Sequence, residues 1–431
     1  MTSQTRELIR LIAAKPISEK DLAWASLFVL DTIACATGAI GTEPARILAR
    51  VPHDASGDPM RRAFYFGGLS HIIEMDDLHR SSVTHPGTVV IPAAWAVAEA
   101  ENLGGRAFLE AVLKGYEVCC RIGKAVGKAH YKVWHNTSTC GPFGSAMAAA
   151  SLYGLSEDQT VWALGNAGTQ SSGLWEFMAS GAMSKHLHTA RAAESGLLAA
   201  YLAREGFTGP DTILEGEKGF FKALCPDPEP ERILANLDAP WELISSSIKP
   251  WPCCRHTHPA IDAALELHTQ IDPSQIAQVD VFTYRAALNV CDRPAPNDPY
   301  SAKFSLQHCV AQALQDGVVK LDSFDEAARQ RTSALRSKIT LHFSDEIESR
   351  YPEAWGTDVR VTLVNGQILG ATRKHAKGDP QNPLSESELK NKALDLMVFG
   401  GMTKLTADAL MKKISELVAD RPVRNLELFK T

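Results

Sequence analysis

The sequence has nine cysteines, at positions 35, 119, 120, 140, 225, 253, 254, 291 and 309, but no Cys-x-x-Cys pair and no regular spacing among them. Zinc ribbons and iron–sulfur clusters need thiolates set to converge on one centre, so cluster-dependent chemistry is not expected. A disulfide framework is not expected either, and the thiols read as reduced groups of a cytoplasmic protein. Long apolar runs are also missing. The stretch from Val89 to Ala98 falls well short of the roughly 20 residues that span a bilayer. Between Met1 and Pro16 stand Arg6, Glu7 and Arg10, where a signal peptide would be uninterrupted. Neither membrane insertion nor export is expected. With 44 basic against 50 acidic residues the formal charge is -6, so no overall field draws the chain to nucleic acid or an anionic surface. There is no fixed-period repeat and no low-complexity tract.

What is present is an ordinary globular composition, 45% hydrophobic, over 431 residues. That is chain enough for two to three domains at roughly 150 residues each. To about residue 235 the pattern is helical. Ser18 with Asp21 opens a segment in which Leu22, Ala25, Val29 and Ile33 recur at helical spacing. Ala93 to Ala100 and Ala146 to Leu152 are rich enough in alanine for close helix packing, and Ser156 with Gln159 makes a capping-box pair. Six prolines between Pro226 and Pro252 mark a domain boundary.

Beyond it the period changes to two, at Val279, Val281 and Thr283, at Ile339, Leu341 and Phe343, and at Val359, Val361 and Leu363. Asn365-Gly366 then predicts a hairpin. Helical candidates at 260–268, 305–315 and 324–331 lie between, so this region reads as α+β with an antiparallel sheet. Ser385 with Glu388 opens closing helices placed to rejoin the first bundle. The expected division is a helical domain over 1–245 and 392–431 and an α+β domain over 250–390.

Polar residues gather in five places. The densest is His71 to Gly87, with Glu74, Asp76, Asp77, His79, Arg80 and His85 just before an apolar helix. It reads either as a solvated loop with a helix cap or as a functional cleft, because a buried charge must find a partner. Asp and His at this spacing also suit a divalent ion, although no second ligand set matches and no metal is expected. The second, Lys132 to Pro142 with His135, puts hydroxyls and amides ahead of a helix, as caps or as an anion site. In the third, Lys185, His186, His188 and Arg191 bring cations to a helix start, where the dipole opposes them unless an anion is present. His186 and His188 point roughly 200° apart on a helix and would not chelate one ion. The fourth holds Lys249 and Arg255 among prolines, as a rigid linker or as one wall of a cleft. The fifth runs from Arg293 to His308.

These motifs, His71 to Gly87, Gly115-Tyr116-Glu117 to Gly144, Lys185 to Pro210, Lys249 to Pro259 and Ala302 to Gly317, resemble those of the MmgE/PrpD family, in the family's order and over most of the chain. The resemblance implies a large all-helical bundle of discontinuous sequence, a smaller α+β domain, a homodimer, and no metal or organic cofactor. It implies that the acidic cluster, His85, His135, Lys185 and Lys249 serve one site. Glu74 stands where an aspartate is usual, Leu78-His79 where a threonine is common, and His308 where the family often has tyrosine.

Removing a proton next to a carboxylate concentrates negative charge, so fixed cations must be aimed at it. Lys185 is expected to stabilise that charge, with Lys249, Arg191 and Arg255 binding carboxylates of a di- or tricarboxylate. His85 and His135 are the expected acid–base pair, since imidazole titrates near neutrality. Asp77 would orient an imidazole or protonate a leaving hydroxyl. Glu74, Asp76, His79, His188 and His308 complete the expected substrate contacts. The expected activity is a cofactor-independent lyase, foremost a dehydratase of the 2-methylcitrate type. An epimerase of the iminodisuccinate type, a decarboxylase of the cis-aconitate type and a non-catalytic carboxylate-binding protein are the alternatives.

Overall fold

The computed structural model describes residues 3–51 and 58–429. The chain divides into two compact units, one formed by 1–72, 76–247 and 385–431, the other by 73–75 and 248–384.

The first unit is a helical bundle. Its long helices are Glu19–Ala39, Pro59–Ile72, Gly87–Ala100, Gly105–Ala125, Asn136–Leu152 and Ser184–Arg204, joined near the C-terminus by Glu386–Phe399 and Lys404–Ser415. Local sequence starts several of them. Ser18, Ser156 and Ser385 each accept from the backbone N–H three residues on, and Asp21, Gln159 and Glu388 return the bond, a reciprocal cap. The Ser184–Arg204 helix packs on Asn136–Leu152 and Pro59–Ile72, with alanines 190, 192, 193, 199, 200 and 203 buried along it. Short side chains let the axes approach closely, and burial of this apolar surface, at roughly 25 cal/mol per Å2, drives the packing. The nine cysteines of the two units are buried, with no disulfide among the described residues.

The Glu19–Ala39 helix is, in length and hydropathy, sufficient to cross a bilayer, which the reading of apolar runs did not anticipate. Here it is a core helix: most of it is buried in the unit, and its Asp31 is ion-paired with Lys392 of the closing helix Glu386–Phe399. A pair of two-residue strands, β1 (Leu78–His79) and β2 (Ser246–Ser247), completes the unit.

The second unit carries a four-stranded sheet, β3 (Ile276–Thr283), β4 (Ile339–Phe343), β5 (Thr357–Leu363) and β6 (Ile368–Arg373), in the order β4-β3-β5-β6. The predicted hairpin is β5 and β6, with Gly366 at φ +86° in its turn, a conformation open to glycine. The sheet is mixed rather than antiparallel, because β3 and β4 run parallel. A two-residue period reports which face is buried and carries no direction. The helices between β3 and β4, among them Leu306–Asp316 and Glu326–Arg331, supply the long crossover that a parallel pair requires.

Candidate active site

Three helices of the bundle begin at one cluster of imidazoles. His85 stands two residues before Gly87–Ala100, His135 is the N-cap residue of Asn136–Leu152, and Lys185 and His188 lie in the first turns of Ser184–Arg204. A fourth helix, Pro59–Ile72, delivers His71 in its last turn. Pairing of β1 with β2, and of His79 with Thr84, folds the intervening loop back so that His85 returns to Asp76. The His85 N–H donates to Thr137 Oγ1 at 3.0 Å, tying two of the helix starts together. Helix N-termini carry partial positive charge, and Lys185, 3% exposed, adds a full one. Both contributions favour negative charge at the cluster.

At its centre Asp76 Oδ2 lies 2.8 Å from His71 Nδ1 and 2.7 Å from His85 Nδ1. His85 Nδ1 is also 2.7 Å from the Asp77 carbonyl oxygen. All these partners are acceptors, so both rings donate through Nδ1, and in a neutral ring Nε2 is then the basic nitrogen. His71 Nε2 is buried without a hydrogen-bond partner. The His135 ring lies 5.8 Å from that of His71 and 6.4 Å from that of His85, centroid to centroid. Its Nδ1 is 3.2 Å from His188 Nδ1, and its Nε2 is buried and unpartnered. One ring of this pair must donate and the other accept. If His135 donates, its Nε2 is a base; if His188 donates, it is an acid.

Burial, reinforced by the charges of His71, His188, Lys185 and His85, holds the His135 imidazole well below its usual range. Burial, with His71 and Lys185, pushes His188 down to about 4. Both rings are therefore neutral near pH 7. An unfolded imidazole titrates near ~6.5, so between about 6.5 and 4 the unfolded chain binds the additional proton and stability falls as the pH falls. Melting temperature should drop across that window, and a His188→Gln variant should give a flatter profile in thermal melts taken from pH 7 to 4.5. Equal slopes would remove His188 from the effect.

Asp77 moves the other way. Burial and the charges of Asp76 and Asp31 raise its carboxyl well above the usual range, against the Tyr116 hydroxyl and the Gly87 amide, which favour the carboxylate. The Gly87 N–H donates to Asp77 Oδ1 at 3.0 Å. A Cβ at Gly87 would meet Asp77 Oδ1 at 2.5 Å and the Thr32 and Tyr116 hydroxyls at 2.7 Å, so only glycine leaves room for this group of polar atoms.

The other expected contacts are distributed. His79 is buried, with Nδ1 2.8 Å from Ser82 Oγ and Nε2 3.0 Å from Glu242. Burial raises the Glu242 carboxyl, but bonding to His79 and the charges of His79 and Lys124 outweigh it and hold the group below the usual range. Arg191 is not brought to the cluster; its exposed side chain pairs with Glu194. Arg191→Ala should therefore leave turnover within about twofold of the parent, measured by steady-state kinetics. In the second unit Lys249 donates to the Glu74 carbonyl at 3.2 Å and lies 3.6 Å from its carboxylate, both side chains being buried. Glu74 holds φ +61° there, unusual for a non-glycine residue. Arg255 pairs with Asp379 and lies against His258 and the Lys377 carbonyl. His308 has both ring nitrogens occupied, by the Ser323 carbonyl at 2.8 Å and the Thr332 hydroxyl at 3.3 Å.

Sequence reasoning quoted His71, and Tyr116 within a motif, without giving either a role, and it passed over Glu242 and Lys124. His71 was findable, being five residues before Asp76 in the same motif; the Glu242 pairing had no sequence signal. His71, Asp76 and His85 place three metal-ligand atoms within 4.8 Å of one another. The site's hydrogen bonds account for that proximity, since one carboxylate oxygen serves both imidazoles. A separate open cavity of about 810 Å3, lined by Leu11, Pro240 and Trp241, holds none of these histidines. Its Lys15 is paired with Glu117.

Comparison with known proteins gives this geometry its context. The MmgE/PrpD N-terminal domain matches residues 7–233 and the MmgE/PrpD C-terminal domain matches 251–418. The cis-aconitate decarboxylase of Aspergillus terreus is 25% identical over 97% of this chain and 92% of its own length. A cis-aconitate decarboxylase-like protein, oryM, of Aspergillus oryzae is 27% identical over 84% and 83%. The human cis-aconitate decarboxylase is 28% identical over 78% and 72%. With both domain models matched over most of its length, the chain belongs to the MmgE/PrpD family of enzymes acting on small carboxylates.

Proposed function

We propose that the protein is a lyase that releases carbon dioxide from a small unsaturated polycarboxylate of the cis-aconitate type, using only its own side chains. The observation that carries this reading is buried His135, the N-cap residue of one helix, whose Nε2 has no partner, together with buried Lys185 in the first turn of the helix that also brings His188 to that ring. Decarboxylation, dehydration and epimerisation share one difficulty: an electron pair must rest on a carbon beside a carboxylate. When carbon dioxide leaves, that pair is taken up by the neighbouring unsaturated or carboxylate system, and a carbon of that delocalised system then acquires a proton. Lys185 and the three helix N-termini oppose the negative charge, and an imidazole supplies the proton. The relatives at 25% and 28% identity bear the decarboxylase name, which supports carbon dioxide loss over the dehydration expected first.

Epimerisation is the second reading. It is favoured by the 6.4 Å between the His85 and His135 rings, a separation at which two imidazoles can address opposite faces of one carbon. Nuclear magnetic resonance of cis-aconitate, citrate, 2-methylcitrate and iminodisuccinate incubated with the protein in deuterated buffer distinguishes the readings. Decarboxylation gives a product short of one carboxylate, with one solvent deuteron. Deuterium entering an otherwise unchanged substrate would instead establish epimerisation. No change in any of the four would refute both. Activity should also survive exhaustive dialysis against a chelator.

A further inference from the structure

We propose that Trp175 is a substrate-binding residue, its indole N–H donating to a carboxylate oxygen of the substrate beside His135; this rests on the carboxylate-lyase reading above. The indole Nε1 is buried and has no hydrogen-bond partner. Buried indole N–H groups ordinarily find an acceptor, and an unmade bond there is unfavourable. The neighbouring ring shows the same feature: His135, 4.9 Å from Trp175 between centroids, also leaves Nε2 buried and unpartnered. Two adjacent rings, each with a buried polar atom that the protein does not satisfy, have the character of a site awaiting a ligand.

The segment is also held in place. The Trp175 main-chain N–H donates to the Val133 carbonyl at 3.0 Å, and the His135 main-chain N–H to the Gly173 carbonyl at 2.9 Å, with a bridge between Trp134 and Leu174. Gly173, at φ +122°, is tight against Ser138: a Cβ there would lie 2.4 Å from its Oγ. Tyr131 and Phe177 pack against the indole at 5.2 and 5.3 Å. These contacts oppose rotation of the ring toward another acceptor. Because indole nitrogen only donates, its ligand must present an acceptor. A substrate carboxylate drawn in by Lys185 supplies one, and the bond would fix which carboxylate group stands beside His135.

The test uses the full-length protein and tricarballylate, a saturated tricarboxylate with no double bond or hydroxyl to react, titrated by calorimetry against the parent, Trp175→Phe and Lys185→Ala. Trp175→Phe keeps an aromatic ring and removes the donor. It should weaken tricarballylate binding about tenfold or more while leaving the melting temperature of the free protein unchanged or raised. Binding within twofold of the parent overturns the Trp175 assignment, as does weaker binding accompanied by a lowered melting temperature, since that pattern belongs to a packing role. If the parent binds tricarballylate and Lys185→Ala does not, the carboxylate reading survives whatever Trp175→Phe shows. If the parent itself does not bind, that reading falls and the Trp175 assignment with it.

Discussion

Lys185→Ala is expected to lower turnover by roughly a hundredfold or more, the scale on which deletion of one preorganised electrostatic group acts. The lysine lies at the start of the Ser184–Arg204 helix and is nearly fully buried. Its charge is among the causes that depress both His135 and His188. Two readouts therefore move together. Turnover falls because the developing negative charge loses its cation, and both imidazoles titrate closer to their ordinary value because a neighbouring positive charge is gone. Histidine ring resonances followed against pH report the second effect independently of catalysis. A variant with parental turnover would remove Lys185 from the chemistry. Unmoved histidine titrations would show that its charge does not reach the cluster.

The second large effect is expected from His85→Gln and His135→Gln, each of which should reduce turnover by about 10²-fold or more, the range for loss of a general acid or base. Binding of the carboxylate should persist, since Lys185 and the helix starts remain. The two variants should differ in stability. His85 hydrogen-bonds to the buried Asp76 and the Asp77 carbonyl, so glutamine there leaves part of a buried carboxylate's bonding to be remade. Among the described residues the His135 ring shares a bond with His188 alone, and its replacement should be the milder one thermally. Calorimetric melting curves beside the kinetics check both parts. Full solvent-proton exchange in either variant would take that histidine out of the mechanism.

Much of the architecture was legible because it is written in local chemistry. Three reciprocal caps, at Ser18, Ser156 and Ser385, announce helices whose first turns form the same bonds in the structure. Asn365-Gly366 announces a hairpin whose turn needs a positive φ. Strand direction was not legible, because alternation of Val279, Val281 and Thr283 describes burial alone. The site was legible as motifs and less so as contacts. Arg191 lies six residues beyond Lys185, about 120° around the helix, which agrees with its outward pairing to Glu194. His308 was singled out as a departure in type. Its environment, set by Ser323 and Thr332 at 15 and 24 residues' distance, was beyond any local pattern. Trp175 carried no sequence signal, because an unsatisfied indole is visible only once its neighbours are placed.

In the proposed mechanism, imidazoles supported by a lysine move a proton at a carbon beside a carboxylate. The most direct test is to incubate cis-aconitate in deuterated buffer with the parent and with a His85→Gln/His135→Gln double variant, following carbon dioxide release and deuterium content together. One carbon dioxide and one carbon-bound deuteron per turnover are expected in the parent and neither in the double variant. Release of carbon dioxide at the parental rate by the double variant would contradict it.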